Sequence, residues 1–401
     1  MSSEPIKVYL DSSDYSTLSS AKSEDSDEAA VRRQLVRWVD DGRIRCFFSQ
    51  VLLAEMAPTN SGKEHHAIRR AELLFELCRT NTMIAPQRLI SMELARAIDT
   101  ECTTTSACSM DGEWFPDGAD ELQKPTSMTE MAAALNECAR EAFEEVGLNR
   151  AQRRKAEKTT RRQRVRLIAG AREVAKNLVP DEKQLKQSLS GYPLKAADAA
   201  VLIRYFAGHG SAELAKGAYR RSLSDPSWVL EWMFRDVERS KEFSKWLRAP
   251  GEQLSQLMLH SIKVADEIQA SGDAEVIDNC LSDEVWRSRL EDQMAQVCSR
   301  VASKAFNHEG PISADIVKST CPGIWAMLGT FHSAWRASVE HNRKAPMRSD
   351  FGDSLHAIYA SYVDIFRADS SMAPHVSNHI SGNTRVVSKL SQLVPIIDQL
   401  L

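Results

Sequence analysis

The chain has 401 residues, 43% of them hydrophobic and 26% charged, with a formal net charge of −4. This is the composition of a soluble globular protein, and the length suits two or so structural units, or one domain carrying a large insertion. The mildly acidic balance excludes nucleic-acid binding by overall charge, so any such affinity must come from a local patch. No stretch approaches the roughly 18 consecutive apolar residues of a membrane span.

From the N-terminus, "IKVYLD" (Ile6 to Asp11) alternates Ile6, Val8 and Leu10, which predicts a strand. The start "MSSEPIKVYLDSSD" lacks the basic and apolar regions of a secretory signal. "DSSDYSTLSS" is a polar turn rich in helix-capping residues. "DEAAVRRQLVRWVDDG" has helical spacing and stops at Gly42. A strand "RIRCFFS", a helix "SQVLLAEMAP" capped by Ser49, a helix "KEHHAIRRAELLFELCRT" and a third strand "NTMIAP" follow. Strand and helix alternate, which argues for a parallel sheet covered by helices on both faces.

From Pro86 to Ala345 the strand signal vanishes. "TEMAAALNECAREAFEEVG", "DPSWVLEWMFRDVERSKEFSKWL" and "GIWAMLGTFHSAWRASVEH" have helical periodicity, whereas "ECTTTSACSMDGEWFPDGADELQKPTS" is loop-like. The α/β pattern then returns. "GDSLHAIYASY" predicts a helix starting at Asp353, "VDIFRAD" a strand ending at Asp369, "TRVVS" a fifth strand, and "SKLSQLVPIIDQLL" a closing helix. The two ends of the chain are therefore expected to build one sheet. The eight cysteines contain no C-x-x-C pair, as in a cytoplasmic protein with reduced thiols.

In a parallel sheet, functional groups gather at the carboxyl ends of the strands. Asp11 ends the first predicted strand and Asp369 the fourth. Glu55 lies in the helix after the second strand, and Asp353 opens the helix before the fourth. Four such acids repel one another unless some are protonated or a divalent cation is shared among them. A Mg²⁺-type site can activate water and neutralise charge on a phosphate. Arg343, Lys344, Arg348 and Arg367 flank the last two acids and could hold the phosphates of an incoming strand. Each acid also has a plainer reading. Asp11 and Asp353 could cap their helices, Asp369 could be a turn residue, and Glu55 a solvated helix acid. His356, one turn after Asp353, could orient it.

The segment "NRAQRRKAEKTTRRQRVR" concentrates basic residues, among them Arg153, Arg154, Arg161 and Arg162, in an otherwise acidic chain. It reads either as a phosphate-tracking surface or as a solvated helix balanced by neighbouring acids.

"VYLDSSDYSTLS", "FSQVLLAEM" and "HNRKAPMRSDFGDSLHAIYASYVDIFRADSSMA" together resemble the PIN-like nuclease family. The resemblance covers about residues 5–90 and 340–400 and matches the family's four acids to Asp11, Glu55, Asp353 and Asp369. Ser13 matches a position where the family often has a small hydroxyl or amide residue. Arg367 departs from the pattern, which often has Thr or Ser there. The resemblance implies an α/β PIN-like domain formed by residues 1–90 and 340–401, interrupted by a mostly helical insertion, 91–339. It implies a Mg²⁺- or Mn²⁺-dependent phosphodiesterase held at the four acids, with water activated by the metal. RNA is the favoured substrate, Ser13 and Arg367 support the site, and the insertion is available to a protein partner. A structure-specific DNA nuclease on the same fold and a non-catalytic scaffold for RNA or protein are the alternatives. Oligomeric state is not written in the sequence.

Overall fold

The computed structural model describes residues 4–57 without 22 and 24, then 64–99, 106–109, 193–206, 210–234, 282–340 and 350–401, with short stretches between 238 and 279. Packing divides the chain into two units, Met1–Pro116 with Leu223–Leu401, and Asp117–Ser222.

In the first unit, β1 (Ile6–Tyr9) pairs in parallel with β2 (Ile44–Phe47) on one side and β5 (Ile365–Arg367) on the other. With β6 (Arg385–Val387) outside β5, the order is β2-β1-β5-β6, all parallel. Residues from the two ends of the chain therefore lie side by side, Val8 opposite Ile365 and Tyr9 opposite Phe366. Val8 and Tyr9 point to opposite faces, yet neither is exposed, because both faces are covered.

Helices α1 (Ser12–Ser19) and α2 (Asp27–Asp40) connect β1 to β2, and Gly42 makes the turn into β2 at φ +69°. Helix α3 (Gln50–Met56) is capped by Ser49, whose Oγ accepts the Leu52 N–H at 3.1 Å. Helix α4 (Glu64–Cys78) follows.

The expected third strand forms as β3 (Thr82–Met83), but it pairs antiparallel with β4 (Cys108–Ser109) and meets the main sheet through a single parallel bridge from Thr82 to Phe48. Strand β4 lies inside the stretch that reads as loop. Two paired residues leave no periodicity to detect.

Helix α5 (Pro86–Ile98) starts at a proline that pre-sets the first helical turn. In the second unit, α6 (Ala196–Phe206) and the part of α7 (Ala212–Leu223) up to Ser222 share a small core of Leu194, Leu202, Tyr205 and Ala215. Arg221 bonds Asp198 there at 2.7 Å.

Back in the first unit, α8 (Pro226–Phe234) packs on α4. Helices α9 (Asp283–Phe306), α10 (Ala314–Thr320) and α11 (Pro322–Glu340) pack with α5 around Leu94, Met294, Val317 and Ile324. Glu93 of α5, fully buried, accepts the Gly323 and Ile324 N–H groups at 2.6 and 2.8 Å and the Tyr362 hydroxyl. It thus serves as a borrowed cap for α11. Burial lifts its carboxyl from 4.5 to about 7 against the pull of those three donors.

Helix α12 begins at Asp350 and runs to His356, continuing as a 3-10 turn, Ala357–Tyr362. Asp353 therefore sits in the body of the helix, not at its start, which corrects the expected capping position. Helices α13 (Ala373–Ser377) and α14 (Leu393–Leu400) complete the unit. Among the described residues no helix is long and apolar enough to cross a membrane.

Candidate metal centre

Parallel pairing puts the carboxyl ends of β1 and β5 next to each other, and Asp11 and Asp369 each stand two residues beyond them. Asp11 is the N-cap of α1, so the capping reading holds for it. Its Oδ2 accepts the Ser13 N–H at 3.1 Å and the Ser13 hydroxyl, while its own N–H donates to Asp14 Oδ2 at 3.1 Å. Asp369 turns its Oδ1 onto the Ser371 N–H and hydroxyl, both at 2.7 Å, and the Met372 N–H at 2.9 Å. That is an acid held by a local turn.

Glu55 is only 18% exposed in its side chain, and its Oε2 lies 3.0 Å from His356 Nε2. A solvated helix acid would have neither property. Its other oxygen, Oε1, rests where Gly352 has no side chain, since a Cβ there would come within 2.5 Å of it. His356 thus engages Glu55 rather than orienting Asp353. Burial lowers the proton affinity of His356, but the charge and hydrogen bond of Glu55, with Asp11 and Asp353 behind it, reverse the sign, and the imidazole pKa ends up raised.

Asp353 shows that the acids share one field. Burial is the largest cause lifting its carboxyl from 3.8 to about 8. The negative charges of Glu55, Asp369 and Asp11 add to it, and only His356 opposes them. Acids from three other parts of the chain therefore act on one carboxyl.

The donor set, all carboxylate oxygens, is the kind that Mg²⁺ and Mn²⁺ take. It is not pre-assembled: among the described residues no three His, Cys, Asp or Glu side chains already stand together in a metal-holding group. Asp11 and Asp369 bond to their own turns, and Glu55 faces His356. An ion would recruit them by rotating side chains that the backbone has already brought to one place.

Arg367 is corrected. It is 8% exposed and its Nη2 lies 3.1 Å from Asp14 Oδ1, itself 2% exposed. A guanidinium committed inward cannot hold the phosphate of an incoming strand. Its place is structural, tying the end of β5 to α1. Ser13 keeps its place beside Asp11. Asp364 lies at the opposite end of β5, where its carboxylate accepts the Lys7 N–H at 2.7 Å. His65 and His66 are exposed on α4, ring against ring at 4.0 Å. Arg343, Lys344, Arg348, Arg153, Arg154, Arg161 and Arg162 fall outside the described residues.

The sequence reading missed Tyr9, which is buried on β1 and bonds both Ser49 and His356 at 2.6 Å. The alternation of Ile6, Val8 and Leu10 puts Tyr9 on the other face of the strand and carries no hint of its partners. The five cysteines among the described residues are free, and burial raises the thiols of Cys46, Cys78, Cys108, Cys298 and Cys321, which disfavours nucleophilic chemistry there. No family model, curated protein or solved structure matches this chain.

Proposed function

We propose that the chain is a PIN-like endonuclease dependent on Mg²⁺ or Mn²⁺, with RNA as its favoured substrate. One observation carries the reading: Asp11 and Asp369 follow neighbouring parallel strand ends, and the charges of Glu55, Asp369 and Asp11 together raise the Asp353 carboxyl. Such a concentration of carboxylates is costly unless it serves to bind a cation.

A divalent ion bound there would supply water activation and charge neutralisation for phosphodiester hydrolysis. The chain's own residues have separate tasks. Asp11, Glu55, Asp353 and Asp369 provide the oxygens. Ser13 holds the Asp11 carboxylate by a hydroxyl and an N–H. The Asp14–Arg367 pair fixes the strand ends that carry Asp11 and Asp369. Arg343, Lys344 and Arg348, close to Asp353 in sequence, are assigned to the phosphates of the substrate, and the segment with Arg153, Arg154, Arg161 and Arg162 to its flanking backbone. The test is incubation of labelled single-stranded RNA and DNA with purified protein in Mg²⁺, Mn²⁺ or EDTA. Cleavage of DNA alone would shift the substrate to the alternative class, and binding without cleavage in either ion would leave a scaffold.

A further inference from the structure

A buried chain of contacts runs behind Glu55. His356 Nε2 lies 3.0 Å from Glu55 Oε2, His356 Nδ1 lies 2.6 Å from Tyr9 Oη, and Tyr9 Oη lies 2.6 Å from Ser49 Oγ. Ser49 Oγ in turn accepts the Leu52 N–H, which fixes it to the first turn of α3. Tyr9 is held by its ring as well, stacked on Phe366 at 5.4 Å with 6° between the planes. Tyr9, Ser49 and His356 are all buried.

The members come from the elements that carry three of the four acids. Tyr9 stands on β1, two residues before Asp11. Ser49 caps the helix that carries Glu55. His356 follows Asp353 by three residues on α12. The network is therefore a brace between the three acid-bearing elements, and it ends on one particular oxygen. A carboxylate only accepts, so His356 Nε2 must carry the hydrogen for the 3.0 Å contact with Glu55 Oε2 to close as a hydrogen bond, which the present geometry leaves unmade. The other oxygen, Oε1, lies against Gly352, the residue before Asp353.

We propose that His356, held in place by Tyr9 and Ser49, is a positioning residue that directs Glu55 Oε1 toward a divalent cation shared with Asp11 and Asp353. The inference rests on the cation-binding reading above and names the residue that makes Glu55 a defined ligand. Partners behind a ligand commonly account for 10- to 100-fold in metal affinity. A purely structural network would instead satisfy its own buried polar atoms, and its loss would lower stability alone.

The test is Mn²⁺ affinity of the full-length protein, read from the free-ion electron paramagnetic resonance signal, beside melting temperature in EDTA. His356→Asn keeps a polar group facing Tyr9 but does not reach Glu55. It should weaken Mn²⁺ binding by about tenfold or more. His356→Gln, whose amide nitrogen reaches the Nε2 position, should recover part of the loss, and Tyr9→Phe should weaken binding less than His356→Asn does. A folded His356→Asn protein with wild-type Mn²⁺ affinity overturns the proposal, whatever its melting temperature. Should that variant not fold, Tyr9→Phe decides: unchanged affinity overturns the proposal and weakened affinity supports it. A wild-type protein that binds no Mn²⁺ removes the cation reading and the positioning role together. Wild-type binding with unaffected variants removes the positioning role alone.

Discussion

Arg367 Nη2 stands 3.1 Å from Asp14 Oδ1, and both side chains are buried. Asp14 also accepts the Asp11 N–H at 3.1 Å, so this pair reaches from the strand end before Asp369 to the backbone of Asp11. Breaking a buried pair from one side leaves an uncompensated charge. Arg367→Met should therefore cost about 3–5 kcal/mol in urea unfolding, and adding Asp14→Asn should restore part of it. Additive losses in the double variant would show that the two residues are not coupled.

Gly352→Ala separates the fold from the site. The added Cβ would meet Glu55 Oε1 at 2.5 Å, the far end of a side chain that can swing away. Within a helix, alanine is favoured over glycine by about 0.5–1 kcal/mol. Stability should hold or rise, while displacement of Glu55 should weaken Mn²⁺ binding by about tenfold. A variant that binds Mn²⁺ like wild type would mean that Glu55 is not a ligand.

Asp353→Asn should leave the metal-free protein as stable as wild type or more so. The carboxyl rises from 3.8 to about 8 on folding, so the folded state holds a proton that the unfolded chain releases. Its contribution to stability therefore declines as pH rises from 3.8 to about 8. Asparagine does not titrate, so in EDTA the variant should gain on wild type across that window, by up to about 5 kcal/mol at the upper end. A variant that melts lower than wild type at pH 8 would assign Asp353 a structural role instead.

Much of this was legible in the sequence, for a local reason. Ile6, Val8 and Leu10 announce β1, and the pattern before Asp369 announces β5. Once both strands belong to a parallel sheet, their acids must share an edge. What stayed hidden is non-local or short. Tyr9 and His356 are 347 residues apart in the chain, so nothing near either names the other. Arg367 reads as a phosphate ligand because it is a cation next to acids, and only the fold shows it buried against Asp14. The start of α12 at Asp350 was missed because "GDS" imitates a capping signal one turn later. Strand β4 has two residues, below the length at which alternation means anything.

Glu93 offers a pH test far from the acids of the site in sequence. Its folded carboxyl sits at about 7 against an ordinary 4.5, so the group lowers stability progressively as pH rises between those values. Glu93→Gln keeps an acceptor for the first N–H groups of α11 without titrating. It should gain on wild type by up to about 3 kcal/mol from the acid to the neutral end of that range. A constant difference between the two proteins across the range would show that Glu93 keeps its ordinary titration on folding.

In the proposed function, acids from both ends of the chain form one catalytic centre for phosphodiester cleavage. The most direct measurement is the rate at which wild type and Asp353→Asn cut a labelled single-stranded RNA in Mn²⁺, with EDTA as the control. Wild type should cleave the RNA, EDTA should abolish that cleavage, and the variant, melting at or above the wild-type temperature, should not cleave above that control. Equal cleavage by both proteins, or cleavage that survives EDTA, would contradict it.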